Sequence, residues 1–212
     1  MLNIDTEKQL MTQGYPLVGG VDEVGRGPLA GPVVAACVVF DFSQELDLSA
    51  LTAVNDSKKL TAKKRQELFG LIKKQAVAVE VALVSSQQID KINILQASLL
   101  AMRKSINKLT PKPNFVLVDG KFSVPNLAIP QTAIIDGDAK IFSIAAASII
   151  AKVSRDWLMT KYDQQYPGYG LAQHKGYGTK LHLERLKALG PSPIHRLSFA
   201  PLNKNHELGT KF

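Results

Sequence analysis

Cysteine is almost missing: Cys37 is the single one in 212 residues, so no internal disulfide can form. It stands inside an apolar stretch, where a lone thiol reads as a small core residue. No apolar run reaches the length of a membrane span; the longest, Ile141–Ala151, is interrupted by serines. The opening MLNIDTEKQL has no basic region followed by an apolar stretch, so no secretion signal is in view. A cytoplasmic protein is expected. Internal repeats, heptads and low-complexity tracts are missing too. No nucleophile elbow stands out for serine-hydrolase chemistry, and no soft-ligand cluster for zinc. The four histidines, His174, His182, His195 and His206, are not at close metal-ligand spacing. His182 and His195 read as surface or hydrogen-bonded core residues.

Acidic residues are the minority, 18 against 26 Lys and Arg, which leaves a net charge of +8 and a pI near 9.5. Residues 171–212 carry +5 of that charge. A basic C-terminal quarter beside an otherwise balanced chain points to a polyanionic partner, nucleic acid first, or to an ordinary basic surface. With 45% hydrophobic and 21% charged residues, the length suits one globular domain with a sizeable core.

The chain is organised around Gly20–Pro32, GVDEVGRGPLAGP, set between the apolar runs Leu17–Val21 and Val33–Phe40. These runs read as two strands joined by a glycine-rich connection. Asp22 and Glu23 close the first strand side by side, and burying them costs several kcal/mol unless something cationic compensates. Hard carboxylate oxygens suit a divalent metal such as Mg²⁺ or Mn²⁺. Gly25-Arg26-Gly27 offers backbone that a ligand can approach closely, with one fixed positive charge. Neighbouring residues on a strand point to opposite faces, so for both carboxylates to serve one site the strand must end or bulge here. The plainer alternative is one solvated carboxylate and a simple turn.

Further along, Thr61 is a candidate N-cap for a helix over Ala62–Lys74. Lys58 and Lys59 stand just before it, able to meet a phosphate or to be merely solvated. Val77–Val84 reads as a strand. Ser86–Leu109 reads as one long helix whose Ile89, Ile92, Leu95, Leu99, Met102 and Ile106 make a core stripe. Phe115–Val118 is a buried strand ending at Asp119-Gly120, the place where open α/β sheets collect ligand chemistry. Weak strands at 128–130 and 133–135 lead to Asp136-Gly137-Asp138, and Asp138 would cap a helix from about Ala139 to Tyr166. A glycine-rich loop at 168–178 carries His174, Lys175 and Tyr177. Thr179 caps a last helix, Lys180–Leu189. The expected class is α/β: a mixed sheet with an antiparallel first hairpin, flanked by helices.

GVDEVGRGPLAGPVVAA resembles the signature of ribonuclease HII, the bacterial type 2 ribonuclease H. The likeness continues through Asp56–Leu60, Leu117–Gly120, Gly137-Asp138, Ala145–Asp156, His174–Thr179 and His195–Phe199, and covers roughly residues 17–200. It implies a ribonuclease H-like core over 17–166, a helical substrate-contacting segment over 167–200 and a tail over 201–212, open to disorder. It implies an endoribonuclease that hydrolyses the RNA strand of RNA–DNA hybrids. Single ribonucleotides embedded in duplex DNA would be cut on their 5′ side, leaving 3′-hydroxyl and 5′-phosphate ends. Asp22, Glu23, Asp119 and Asp138 match the family's acidic set, catalytic and metal-holding, for two Mg²⁺ or Mn²⁺ ions about 4 Å apart. Gly25, Arg26 and Gly27 would hold the ribose 2′-hydroxyl, and Tyr177 would stack on the next sugar. Ser57, Lys58 and Lys175, with Lys152 or Arg155, would meet the substrate. A monomer acting on RNA–DNA hybrid and on DNA duplex containing ribonucleotides, with no membrane partner, is expected. One departure stands out: many relatives carry a basic residue where this chain has Asp136, which puts the choice of Asp138 over Asp136 in question.

Overall fold

The computed structural model describes residues 2, 4–44, 51–54, 57 and 60–203. Helix α1 (Asp5–Thr12) leads into a hairpin of β1 (Leu17–Val24) and β2 (Val33–Asp41). Then come α2 (Ala62–Gln75), β3 (Ala78–Val84), α3 (Ser86–Lys108), β4 (Phe115–Asp119) and β5 (Gln131–Ile134). The chain closes with α4 (Phe142–Gln165), α5 (Leu171–His174) and α6 (Lys180–Leu189). The five strands form one sheet in the order β3-β2-β1-β4-β5. The first three pair antiparallel, and β1, β4 and β5 run parallel. This is the expected mixed α/β sheet. Among the described residues no helix is long and apolar enough to cross a membrane.

Alternation along β1 divides the core. Val18 packs with Phe142, Ile144 and Ile150 of α4, while Val21 packs with Ile89, Met102 and Ile106 of α3. The sheet is therefore covered on both faces, and β2 is buried along nearly its whole length. Cys37 sits there, and burial pushes its thiol far above the usual range, which makes it unreactive. Helix α4 lies directly on β1: a Cβ on Gly20 would fall 2.1 Å from the carbonyl carbon of Ser143. Glu7 of α1 fastens the start of α4, its Oε1 accepting from the Ser143 N–H and hydroxyl at 3.0 Å each.

Thr61 and Thr179 cap α2 and α6 as expected, accepting from the N–H groups of Lys64 and His182. Three expectations need correction. Helix α3 is not continuous, because Asn93 turns to φ 65°; its side-chain oxygen accepts from Gln96 N–H and caps the second piece. The two weak strands are one, Gln131–Ile134, which begins after Pro130 has no N–H to give to the ladder. Helix α4 starts at Phe142, not Ala139, because Gly137–Ala139 forms a separate 3-10 turn and Ile141 is extended. Asp138 is accordingly no cap of α4.

Candidate active site

The parallel pairing of β1 with β4 places the C-terminal ends of both strands on one edge of the sheet, where such sheets bind ligands. That pairing stops at Val21↔Val118. The antiparallel pairing with β2 continues unbroken through Asp22↔Ala36, Glu23↔Ala35 and Val24↔Val34. The strand therefore neither ends nor bulges at the two carboxylates, contrary to the sequence reading. With β4 finished at Asp119, side chains from both faces of β1 can converge over its end. Asp22, Glu23 and Asp119 each bring a carboxylate oxygen within 4.8 Å of the others.

This cluster is held at high electrostatic cost. Asp22 is 5% exposed. Its carboxyl is pushed well above the usual range, by burial first and then by Glu23, Asp119 and Asp138. Glu23 is raised too: desolvation outweighs the pull of Arg26, whose Nη1 lies 3.0 Å from Oε1. Its other oxygen, Oε2, is buried with no hydrogen-bond partner among the described residues. An orphaned carboxylate oxygen among crowded acids is what a set of hard ligands looks like before cations join it. The residues present therefore fit divalent metal. Asp119 Oδ1 accepts from the N–H groups of Gly137 (2.7 Å) and Asp138 (3.3 Å), which draws the 3-10 turn onto β4. Asp138 is thereby buried beside the cluster, though outside the close triad, whereas Asp136 is exposed at φ 55°.

Ser57 is buried below the cluster, its hydroxyl 2.9 Å from that of Ser148, which in turn bonds Asp22. Lys58 lies outside the described residues. Lys175 Nζ donates to Thr160 Oγ1 at 3.0 Å, and Lys152 is paired with Asp156 at 2.7 Å. Arg155 cannot meet a phosphate where it stands, since it is fully buried and donates to the carbonyls of Ala30, Pro32 and Lys175. Its companion is Arg196, equally buried, which donates to the carbonyls of Gly25, Arg26 and Gly31. Burial, and then Arg155, push Arg196 down to about 9, still cationic at neutral pH. Gly25 lies at φ 94°, and a Cβ there would strike the Arg155 guanidinium at 2.2 Å. The Gly25-Arg26-Gly27 loop is thus shaped from behind by two arginines. In front of it stands Tyr177, 43% exposed, with its ring 3.9 Å from where a Cβ on Gly27 would be.

The family model described as Ribonuclease HII matches residues 19–202. The chain belongs to the ribonuclease HII family. Ribonuclease HII of Geobacter sulfurreducens is 53% identical over 195 residues, covering 92% of this chain and 87% of the relative. That of Acholeplasma laidlawii is 53% identical over 204 residues, covering 95% and 96%. Among solved structures, the ribonuclease H2 of Pyrococcus horikoshii superposes with a TM-score of 0.73 at 31% identity, over 90% of this chain and 97% of that one. As a ribonuclease HII the protein is a hydrolase, a divalent-metal-dependent endoribonuclease acting on RNA paired with DNA. What the sequence did not reveal in this ribonuclease HII is its support: Arg196 as a clamp, Ser148 against Asp22, and the meeting of the histidines. Of these, His182 and His195 are the hydrogen-bonded core residues that were one of the two expectations. Arg196 had one signal, its place in the His195–Phe199 block, but nothing local separates a clamp from a surface arginine.

Proposed function

We propose that this ribonuclease HII hydrolyses the RNA strand of hybrids and also cuts DNA duplexes 5′ of a single embedded ribonucleotide. The observation that carries the reading is the meeting, at one sheet edge, of the carboxylate triad with a backbone loop faced by Tyr177. Asp22, Glu23 and Asp119, with Asp138 beside them, would hold two divalent ions. When bound, such ions supply an activated water and charge neutralisation at the leaving 3′-oxygen, for an in-line displacement leaving 3′-hydroxyl and 5′-phosphate ends. The chain's own work is placement. Arg26 offsets part of the Glu23 charge, and the Ser57–Ser148 pair steadies Asp22 from below. Arg155 and Arg196 fix the loop, so that backbone groups of Gly25, Arg26 and Gly27 meet the ribose 2′-hydroxyl. A site built to bond that hydroxyl rejects a deoxyribose, because its polar groups are then left unpaired. Tyr177 packs on the following sugar, which is best accommodated when it lacks the hydroxyl. Lys58 and Lys175 approach phosphates, Lys175 by leaving Thr160. The enzyme would act as a cytoplasmic monomer, with 17–166 as core and 167–200 as substrate-contacting segment.

Product mapping on labelled duplexes with one, four or no ribonucleotides, in Mg²⁺ or Mn²⁺, tests this reading. The expected result is a cut 5′ of the single ribonucleotide and no cut in all-DNA duplex. Cleavage of the four-ribonucleotide duplex alone would refute the junction reading.

A further inference from the structure

Three imidazoles form a chain in the C-terminal segment, and each ring nitrogen's role can be worked out from its neighbours. His174, His182 and His195 are all buried. The rings of His174 and His182 stack at 4.2 Å, and those of His182 and His195 are tilted at 5.3 Å. The N–H of Ser192 lies 2.9 Å from His195 Nδ1; a backbone N–H only donates, so that nitrogen accepts. The proton of neutral His195 is then on Nε2, which faces His182 Nε2 at 3.1 Å. His182 Nε2 must accept, which leaves its own proton on Nδ1. That nitrogen lies 2.9 Å from the carbonyl oxygen of Tyr177, a group that only accepts. The donor at Ser192 and the acceptor at Tyr177 therefore demand one and the same arrangement of protons. His174 closes the set: its Nδ1 accepts from Gly176 N–H at 3.1 Å and its Nε2 donates to the Tyr169 carbonyl at 2.8 Å. Its own carbonyl accepts from Tyr177 N–H at 2.9 Å.

Both backbone groups of Tyr177 are thus held by this cluster. The far end of the chain is fixed as well. His195 forms a β-bridge with Ala30, and Gly31 N–H and the Leu29 carbonyl bond Ile194 and Arg196 on either side of it. One hydrogen-bonded path runs from the loop that follows Gly25-Arg26-Gly27 to the residue that faces it.

We infer that His174, His182 and His195 are positioning residues for Tyr177, setting its distance from the Gly25–Gly27 loop. The inference rests on the reading of Tyr177 as the residue packed on the sugar after the ribonucleotide. A misplacement of about 1 Å at such a contact costs roughly a hundredfold in rate. Substrate affinity, set mainly by phosphate contacts elsewhere, would change little.

Two variants of His182 separate positioning from mere filling. His182→Asn keeps an N–H where Nδ1–H stands; His182→Gln places its amide near Nε2 instead. On the single-ribonucleotide duplex, kcat of His182→Asn should stay within about threefold of wild type, and that of His182→Gln should fall about 10- to 100-fold with KM little changed. Tyr177→Ala should lose rate to a similar degree, and the double variant Tyr177→Ala/His182→Gln should lose no more, because the relay acts through that residue. Equal kcat for the two His182 variants, or a further loss in the double variant, overturns the relay while leaving the Tyr177 reading intact. An unimpaired Tyr177→Ala removes both. Nitrogen-15 spectra of the wild-type imidazoles give a check that needs no variant to fold. Protons on His182 Nδ1 and on Nε2 of His174 and His195 are expected, and any other distribution contradicts the assignment.

Discussion

At the C-terminal edge of β1 and β4, Asp22, Glu23 and Asp119 crowd negative charge, and the half-exposed Arg26 offsets part of it. Across the Gly25–Gly31 loop, Arg155 and Arg196 crowd positive charge more deeply still, yet each guanidinium is met by three backbone carbonyls. Buried charge is tolerated in both places by different means. In the basic region the compensation is internal, and the geometry is complete as the chain folds. In the acidic region an oxygen of Glu23 has no partner among the described residues, which leaves room for compensation by a bound cation. The first region is a scaffold and the second a receptor for cations. Placing them on either side of one loop lets the scaffold set where a substrate sugar lies relative to the metals.

The largest expected effect comes from breaking the acidic side. Asp22→Asn should reduce turnover to below a few per cent of wild type even in saturating Mn²⁺, while hybrid binding is kept or improved, since repulsion toward phosphate falls. Gel cleavage assays and anisotropy titrations measure the two. In the same assays Asp136→Asn should be far milder than Asp138→Asn, as exposure for the one and burial beside Asp119 for the other require.

Breaking the basic side should cost stability before chemistry. Arg196→Met leaves the carbonyls of Gly25, Arg26 and Gly31 without their donor in a buried place, for a loss of roughly 3 kcal/mol in urea unfolding. A loss below about 0.5 kcal/mol would mean that the loop holds itself.

The smallest effect sharpens the contrast through its sign. Burial, and then His182, lower His195 to about 4 from 6.5, and His182 is lowered as well. As pH falls, the unfolded chain binds these protons before the native protein does, so their contribution to stability is whole above about 6.5 and is lost on the way to about 4. Asp22 and Glu23 are raised, so their repulsion is relieved over falling pH, the opposite sign. Comparing wild type with His195→Gln between pH 7 and pH 4 should isolate a histidine contribution of about 1–2 kcal/mol. Parallel curves would contradict it.

Much of the acidic side was legible in the sequence because strand ends and hard carboxylates are local signals. Asp22-Glu23 closes one apolar run, and Asp119 closes another. The caps at Thr61 and Thr179 were legible for the same reason. The scaffold was not, because its bonds span the chain: Arg196 reaches carbonyls more than 160 positions away, and Arg155 more than 120. In sequence, an arginine destined for buried carbonyls looks like one destined for phosphate, so nothing local in Arg155 spoke against the phosphate role that the family resemblance offered to it or to Lys152. His174, His182 and His195, eight and thirteen positions apart, meet only after α5 and α6 fold back on the loop after β1. The break at Asn93 was hidden because apolar residues keep helical spacing on both sides of it.

A carboxylate triad that is a cation receptor held under repulsion should show both properties in thermal melting with and without Mn²⁺. The metal-free Asp22→Asn variant should melt a few degrees above the metal-free wild type, because one crowded charge has gone. Added Mn²⁺ should raise the wild-type Tm and leave the variant nearly unmoved. If the metal-free variant melts lower and Mn²⁺ raises both proteins equally, the cluster is not the receptor described here.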